Sequence, residues 1–97
     1  MGGFVQIIEY ETERADDMKA LRDSMDERDM APGFRRLTVT QDRDNPKRWL
    51  ILVEFASYEE AMANSARPEV DEMAQKMNAL TVNGAKFHNL DVQDSYP

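Results

Sequence analysis

Residues 48–55 read Arg48-Trp49-Leu50-Ile51-Leu52-Val53-Glu54-Phe55. The run is short, β-branched and aromatic, which is the composition of a strand. Successive side chains of a strand point to opposite faces. Trp49, Ile51, Val53 and Phe55 therefore share one face, and Leu50 and Leu52 share the other. Both faces are apolar, so this strand needs cover on two sides.

Working outward, Asp42-Arg43-Asp44-Asn45-Pro46-Lys47 is a polar turn, and residues 34–41 before it alternate Leu37 and Val39 with Arg36, Thr38 and Thr40. The two runs predict a hairpin with a longer loop. Residues 4–10 form another β-branched and aromatic run, with Phe4, Ile8 and Tyr10 opposing Val5 and Ile7. Residues 13–30 carry Met18, Leu21 and Met25 at helical spacing. Ser57-Tyr58-Glu59-Glu60 predicts a capping box opening a helix through Ala66. Pro68 suits the first turn of a further helix carrying Val70, Met73, Met77 and Leu80. Asn83-Gly84 is expected to stop that helix, and residues 87–92 to supply a last strand. The order is βαββαβ. With right-handed crossovers it predicts one α+β, ferredoxin-like domain over residues 1–97, a four-stranded antiparallel sheet with two helices on one face.

Helices on one face leave the other bare, and its apolar side chains exceed what a monomer exposes. The expected cover is the same face of a second copy, giving a homodimer. With 19 acidic against 12 basic residues, a net charge of −7 argues against nucleic acid and anionic membranes as partners. No apolar run approaches the ~20 residues that span a bilayer, and no signal peptide is visible, so the expected location is cytoplasmic. There is no cysteine, which excludes disulfides and thiolate chemistry, and a lone histidine supports no metal site.

Three segments resemble those of a known superfamily: Val53-Glu54-Phe55-Ala56-Ser57, Tyr58-Glu59-Glu60-Ala61 and the Arg67-Pro68-Glu69 break. Together with the element order they resemble the dimeric α+β barrel superfamily, and most of all its antibiotic biosynthesis monooxygenase group. The resemblance spans nearly the whole chain and rests on structural motifs. It implies a ligand pocket in each protomer between helices and sheet. The group includes cofactor-free oxygenases of phenolic polyketides, quinol oxygenases and haem-degrading enzymes. Its haem degraders carry an Asn on the first strand, a Trp near the end of the third and a His on the second helix. This chain has Gln6, Phe55 and Asn64 there. The resemblance therefore implies no haem, and no cofactor is expected.

His88 is a candidate general base, the one side chain with an ordinary pKa near neutrality. The plainer alternative is a core or interface histidine. Asn64 could donate its amide to a developing phenolate, or simply prepare the break at Pro68. Arg36 is the best placed of the hairpin cations, Arg35, Arg36, Arg43, Lys47 and Arg48, to meet a small anion; otherwise these charges guard an edge strand. Trp49, Tyr10 and Tyr58 are candidate aromatic walls, with core packing as the alternative. Six of the seven Met residues lie in helical segments, which suits an adaptable oily pocket or a plain core. The expectation is a dimer that binds a flat hydrophobic aromatic molecule and oxygenates a phenol or quinol without a cofactor. The rival is a non-catalytic ligand-binding or structural module; an isomerase or cyclase on the same scaffold is a third reading.

Overall fold

The computed structural model describes residues 3–25 and 32–97. The chain runs β1 (Phe4–Glu11), α1 (Ala15–Asp23), β2 (Phe34–Gln41), β3 (Arg48–Phe55), α2 (Tyr58–Ser65), α3 (Pro68–Ala79) and β4 (Val82–Asp91). The four strands form one sheet in the order β2-β3-β1-β4, with every pairing antiparallel. This is the expected ferredoxin-like layout, with the second helical layer split in two at Arg67-Pro68.

The local signals act mostly as their chemistry requires. Ser57 is extended (φ −154°), and its Oγ accepts the Glu60 N–H at 3.2 Å. The Glu60 carboxylate meets the Ser57 hydroxyl at 3.3 Å. Pro68 occupies the first turn of α3, where its missing N–H is not needed. Gly33 has φ +93°, and a Cβ there would overlap the Glu60 side chain, so only glycine fits this turn.

Three expectations need correction. The helix expected over residues 13–30 begins at Ala15 and ends at Asp23, with Ser24 as its C-cap; the stretch holding Met30 lies outside the described residues. Its start is served by Thr12, a buried residue that the apolar pattern does not single out. Thr12 Oγ1 accepts the Arg14 N–H at 3.0 Å and donates to the Leu80 carbonyl at 2.6 Å, tying the end of β1 to α1 and α3. The last strand starts at Val82, five residues before the expected Phe87. Asn83 (φ 66°) and Gly84 (φ 83°) therefore do not stop the helix; Leu80 caps it in an ordinary right-handed conformation. The pair forms a bulge where β4 slips register between Glu9↔Lys86 and Glu11↔Val82, and positive φ is what such a bulge needs.

The core lies between helices and sheet. Phe4, Tyr10, Ile51, Val53 and Phe55 come from one face of the sheet, and Met18 and Ala61 from the helices. The alternation read in β1 and β3 is thus realised. On the opposite face Val5 and Ile7 stand beside Leu52 and Leu90, with Leu50 next along β3. No helix of the described residues is long and apolar enough to cross a membrane.

Candidate functional site

A cavity of about 320 Å³ lies under the helices. Ile8, Ile51, Val53 and Phe55 form its floor, supplied by the inward parity of β1 and β3. Val70, Met73, Ala74 and Met77 form its roof, at the three-and-four spacing of one face of α3. Leu37, Met25 and Phe87 complete the apolar wall, and Phe87, at 53% exposed, marks the open side. A second hollow of about 280 Å³ adjoins across Ile8, Ala74, Met77 and Phe87 and reaches Tyr10 and Thr81.

Few polar groups enter the main cavity. Asn64 projects from α2 and is 8% exposed. Gln6 comes from β1 and donates through Nε2 to Asn89 Oδ1 at 3.1 Å. Arg22, Ser65 and Asp71 are the other polar lining residues. Gln6, Phe55 and Asn64, the three positions at which the sequence departs from the haem-degrader pattern, line this one space together.

The six candidate residues do not converge. Asn64 lines the cavity, and Tyr10 lines the adjoining hollow. Burial pushes the Tyr10 phenol pKa up, against the opposing effect of the Arg22 guanidinium, so the ring stays neutral. Trp49 lies behind Arg22, whose guanidinium carbon stands 6.0 Å from the ring centroid. Its buried Nε1 has no hydrogen-bond partner. Tyr58 is 48% exposed and packs edge-on against Phe4 at 5.4 Å. His88 and Arg36 lie across the sheet from the cavity. His88 pairs with Ile7, and Arg36 with Glu54, on the helix-free face.

His88 Nε2 lies 3.2 Å from Glu9 Oε1. A carboxylate only accepts, so Nε2 supplies the proton of this contact. Arg48 bridges Glu9 (3.1 Å) and Asp42 (2.9 Å) beside it. Glu9 is held below the usual carboxylate range, first by its hydrogen bond from Arg48 and then by that from His88. Asp42 is also lowered, first by the Asp44 amide and then by Arg48. A carboxyl with a lowered folded pKa stabilises the fold above the ordinary carboxylate range, and that contribution is lost as pH falls through the folded value. Thermal melting should therefore show Tm falling on acidification below about pH 4. Arg48→Met should flatten that fall, and an identical acid profile for the variant would contradict this account.

Sequence reasoning missed Arg22, Gln6, Ser65 and Asp71 as lining residues. A signal existed for Arg22: it lies four residues after Met18 and three before Met25, inside the apolar stripe of α1.

The chain matches no protein-family model and no curated protein. Solved structures share its fold. SnoaB, a cofactor-independent oxygenase from Streptomyces nogalater, superposes with a TM-score of 0.82 at 14% identity, covering 100% of this chain and 99% of that one. A candidate antibiotic biosynthesis monooxygenase from Deinococcus radiodurans gives 0.79 at 13% identity, covering 97% and 96%. Another, from Bordetella bronchiseptica, gives 0.81 at 15% identity, covering 99% and 100%. At these identities the likeness concerns the fold alone. The chain has the ferredoxin-like α+β fold of the antibiotic biosynthesis monooxygenase structures, as the sequence resemblance implies.

Proposed function

We propose that the chain binds a flat aromatic molecule in the cavity between helices and sheet and oxygenates it without a cofactor. The observation that carries this reading is Asn64, a buried amide in the wall of a cavity whose floor and roof are apolar. Such a group can stabilise charge that develops on a bound phenol or enol. The fold shared with SnoaB supports the reaction class. In that chemistry the ionised substrate gives one electron to dioxygen, and the carbon radical and superoxide combine. The hydroperoxide then loses water. A ring CH2 and O2 become C=O and H2O, so the substrate supplies all the reducing equivalents. The proton given up on ionisation returns to the peroxide anion to form the hydroperoxide, and Asp71 is the one carboxylate among the described lining residues that could carry it between the two steps. His88 takes no part, because the sheet separates it from the cavity.

The experiment is oxygen uptake by purified protein with anthrone-type and naphthol-type substrates. Uptake with one ketone formed per dioxygen is expected. Binding without uptake would overturn the oxygenase and favour the non-catalytic module, and absence of both binding and uptake would overturn the whole reading.

The working unit in this proposal is a homodimer through the helix-free face. Val5, Ile7, Leu50, Leu52 and Leu90 form its apolar centre, and Glu9, Arg36, Arg48 and Lys86 lie toward the rim. Each copy would supply the same self-complementary patch.

A further inference from the structure

The proposed oxygenation leaves one charged side chain of the cavity without a task. Arg22 stands on the last turn of α1, in register with buried Met18, so its stem is directed onto the sheet. Its Nη1 donates to Tyr10 Oη at 3.3 Å, and its guanidinium lies over the Trp49 ring at 6.0 Å. These two contacts fix the guanidinium without neutralising it. The Tyr10 phenol is neutral, and an aromatic face offers a quadrupole rather than a counter-charge. Among the described residues no carboxylate lies within salt-bridge distance of Arg22. With respect to the described residues, Arg22 is thus a half-buried cation with donors to spare, held at a largely apolar cavity.

We propose that Arg22 is the specificity-determining residue of this cavity and selects aromatic carboxylates. The proposal rests on the reading that the cavity takes an aromatic ring. A guanidinium presents paired donors that match the two oxygens of a carboxylate, and apolar surroundings strengthen that pair. The cavity volume, about 320 Å³, is at the lower end for small-molecule sites and suits two fused rings. Asp71, the one carboxylate among the described lining residues, does not cancel the preference. It is exposed and accepts the Gln75 amide at 2.9 Å. It also sits in the first turn of α3, where the helix dipole already favours its charge. Its field on the ligand is screened by solvent, whereas that of Arg22 is screened less.

The test is calorimetric titration with 2-naphthoate and with its neutral isostere 2-naphthamide. It uses the full chain, Arg22→Met and Arg22→Lys. The wild-type chain should bind naphthoate at least tenfold more tightly than naphthamide. Arg22→Met should weaken naphthoate at least tenfold and leave naphthamide within twofold. Arg22→Lys should recover part of the loss, since it restores charge without the fork. Unchanged naphthamide binding in both variants also shows that the cavity is intact. Equal affinity for the two compounds in the wild type, or a preference that survives Arg22→Met, overturns the role of Arg22 and leaves the aromatic cavity standing. Failure of both compounds to bind overturns the aromatic cavity itself, and the role of Arg22 with it.

Discussion

Asn64→Ala should lower kcat for substrate-dependent oxygen uptake about 100-fold while changing KM by no more than a few fold. The expectation follows from where the amide sits. Asn64 lies in the wall of the cavity and is 8% exposed, so under the proposed function it would meet a bound molecule as a fixed donor. Loss of one preorganised donor to a developing anion slows other enzymes by about 10²–10³. The neutral ground state makes little use of such a donor, so the loss should fall on kcat rather than on KM. Asn64→Asp provides the opposing test. It keeps the shape and replaces the donor with an acceptor of like charge, so it should be at least as slow as the alanine variant. Circular dichroism melts of both variants separate this effect from unfolding, because truncating a buried amide costs about 1–3 kcal/mol in its own right. A rate within threefold of wild type in a folded Asn64→Ala would remove Asn64 from the reaction. His88→Ala serves as the contrast. His88 contacts Glu9 across the sheet from the cavity, so its replacement should leave kcat unchanged.

The contrast between Asn64 and His88 also shows which features were legible in the sequence. Strand parity was legible, because a period of two leaves each residue only two faces to choose from. The apolar alternation of residues 49–55 therefore separated two apolar faces, and the structure shows that the face of Ile51, Val53 and Phe55 is the core. It also set His88 in phase with Leu90. What it could not supply was the cross-strand register. That register places His88 beside Ile7 and its Nε2 against Glu9, 79 residues away in sequence. No local pattern encodes such a contact. The bulge at Asn83-Gly84 was hidden for a different reason. A positive-φ pair ends a helix or inserts extra residues in a strand equally well, and only the pairing with β1 decides between them. Arg22 was obscured by its type. A long basic side chain in an apolar stripe is ordinarily assigned to solvent, yet its stem can cover apolar surface while its head reaches a cavity.

If the chain forms the proposed dimer, Leu52→Lys should convert it to a monomer at micromolar concentration, measured by light scattering coupled to size exclusion. Leu52 pairs directly with Ile7 on the helix-free face, with Val5 and Leu50 next along the same two strands. An interface with two-fold symmetry carries each substitution twice. Two ammonium groups would then be brought into an apolar contact and toward each other, without a partner for either. A penalty of roughly 2 kcal/mol per copy would raise the dissociation constant about a thousandfold. The fold itself should be spared, because Leu52 is only half-buried within one protomer and its face carries no helix. Glu59→Lys, an exposed change on α2, adds the same charge on the other side of the molecule and should leave the dimer intact. A Leu52→Lys chain that stays dimeric would move the interface elsewhere. A wild-type chain that is monomeric at micromolar concentration would remove it, and would leave the bare apolar face without an occupant. The ligand cavity would survive either result, since it is built from the opposite face of the sheet. Assembly and binding can therefore be tested separately on the same folded chain.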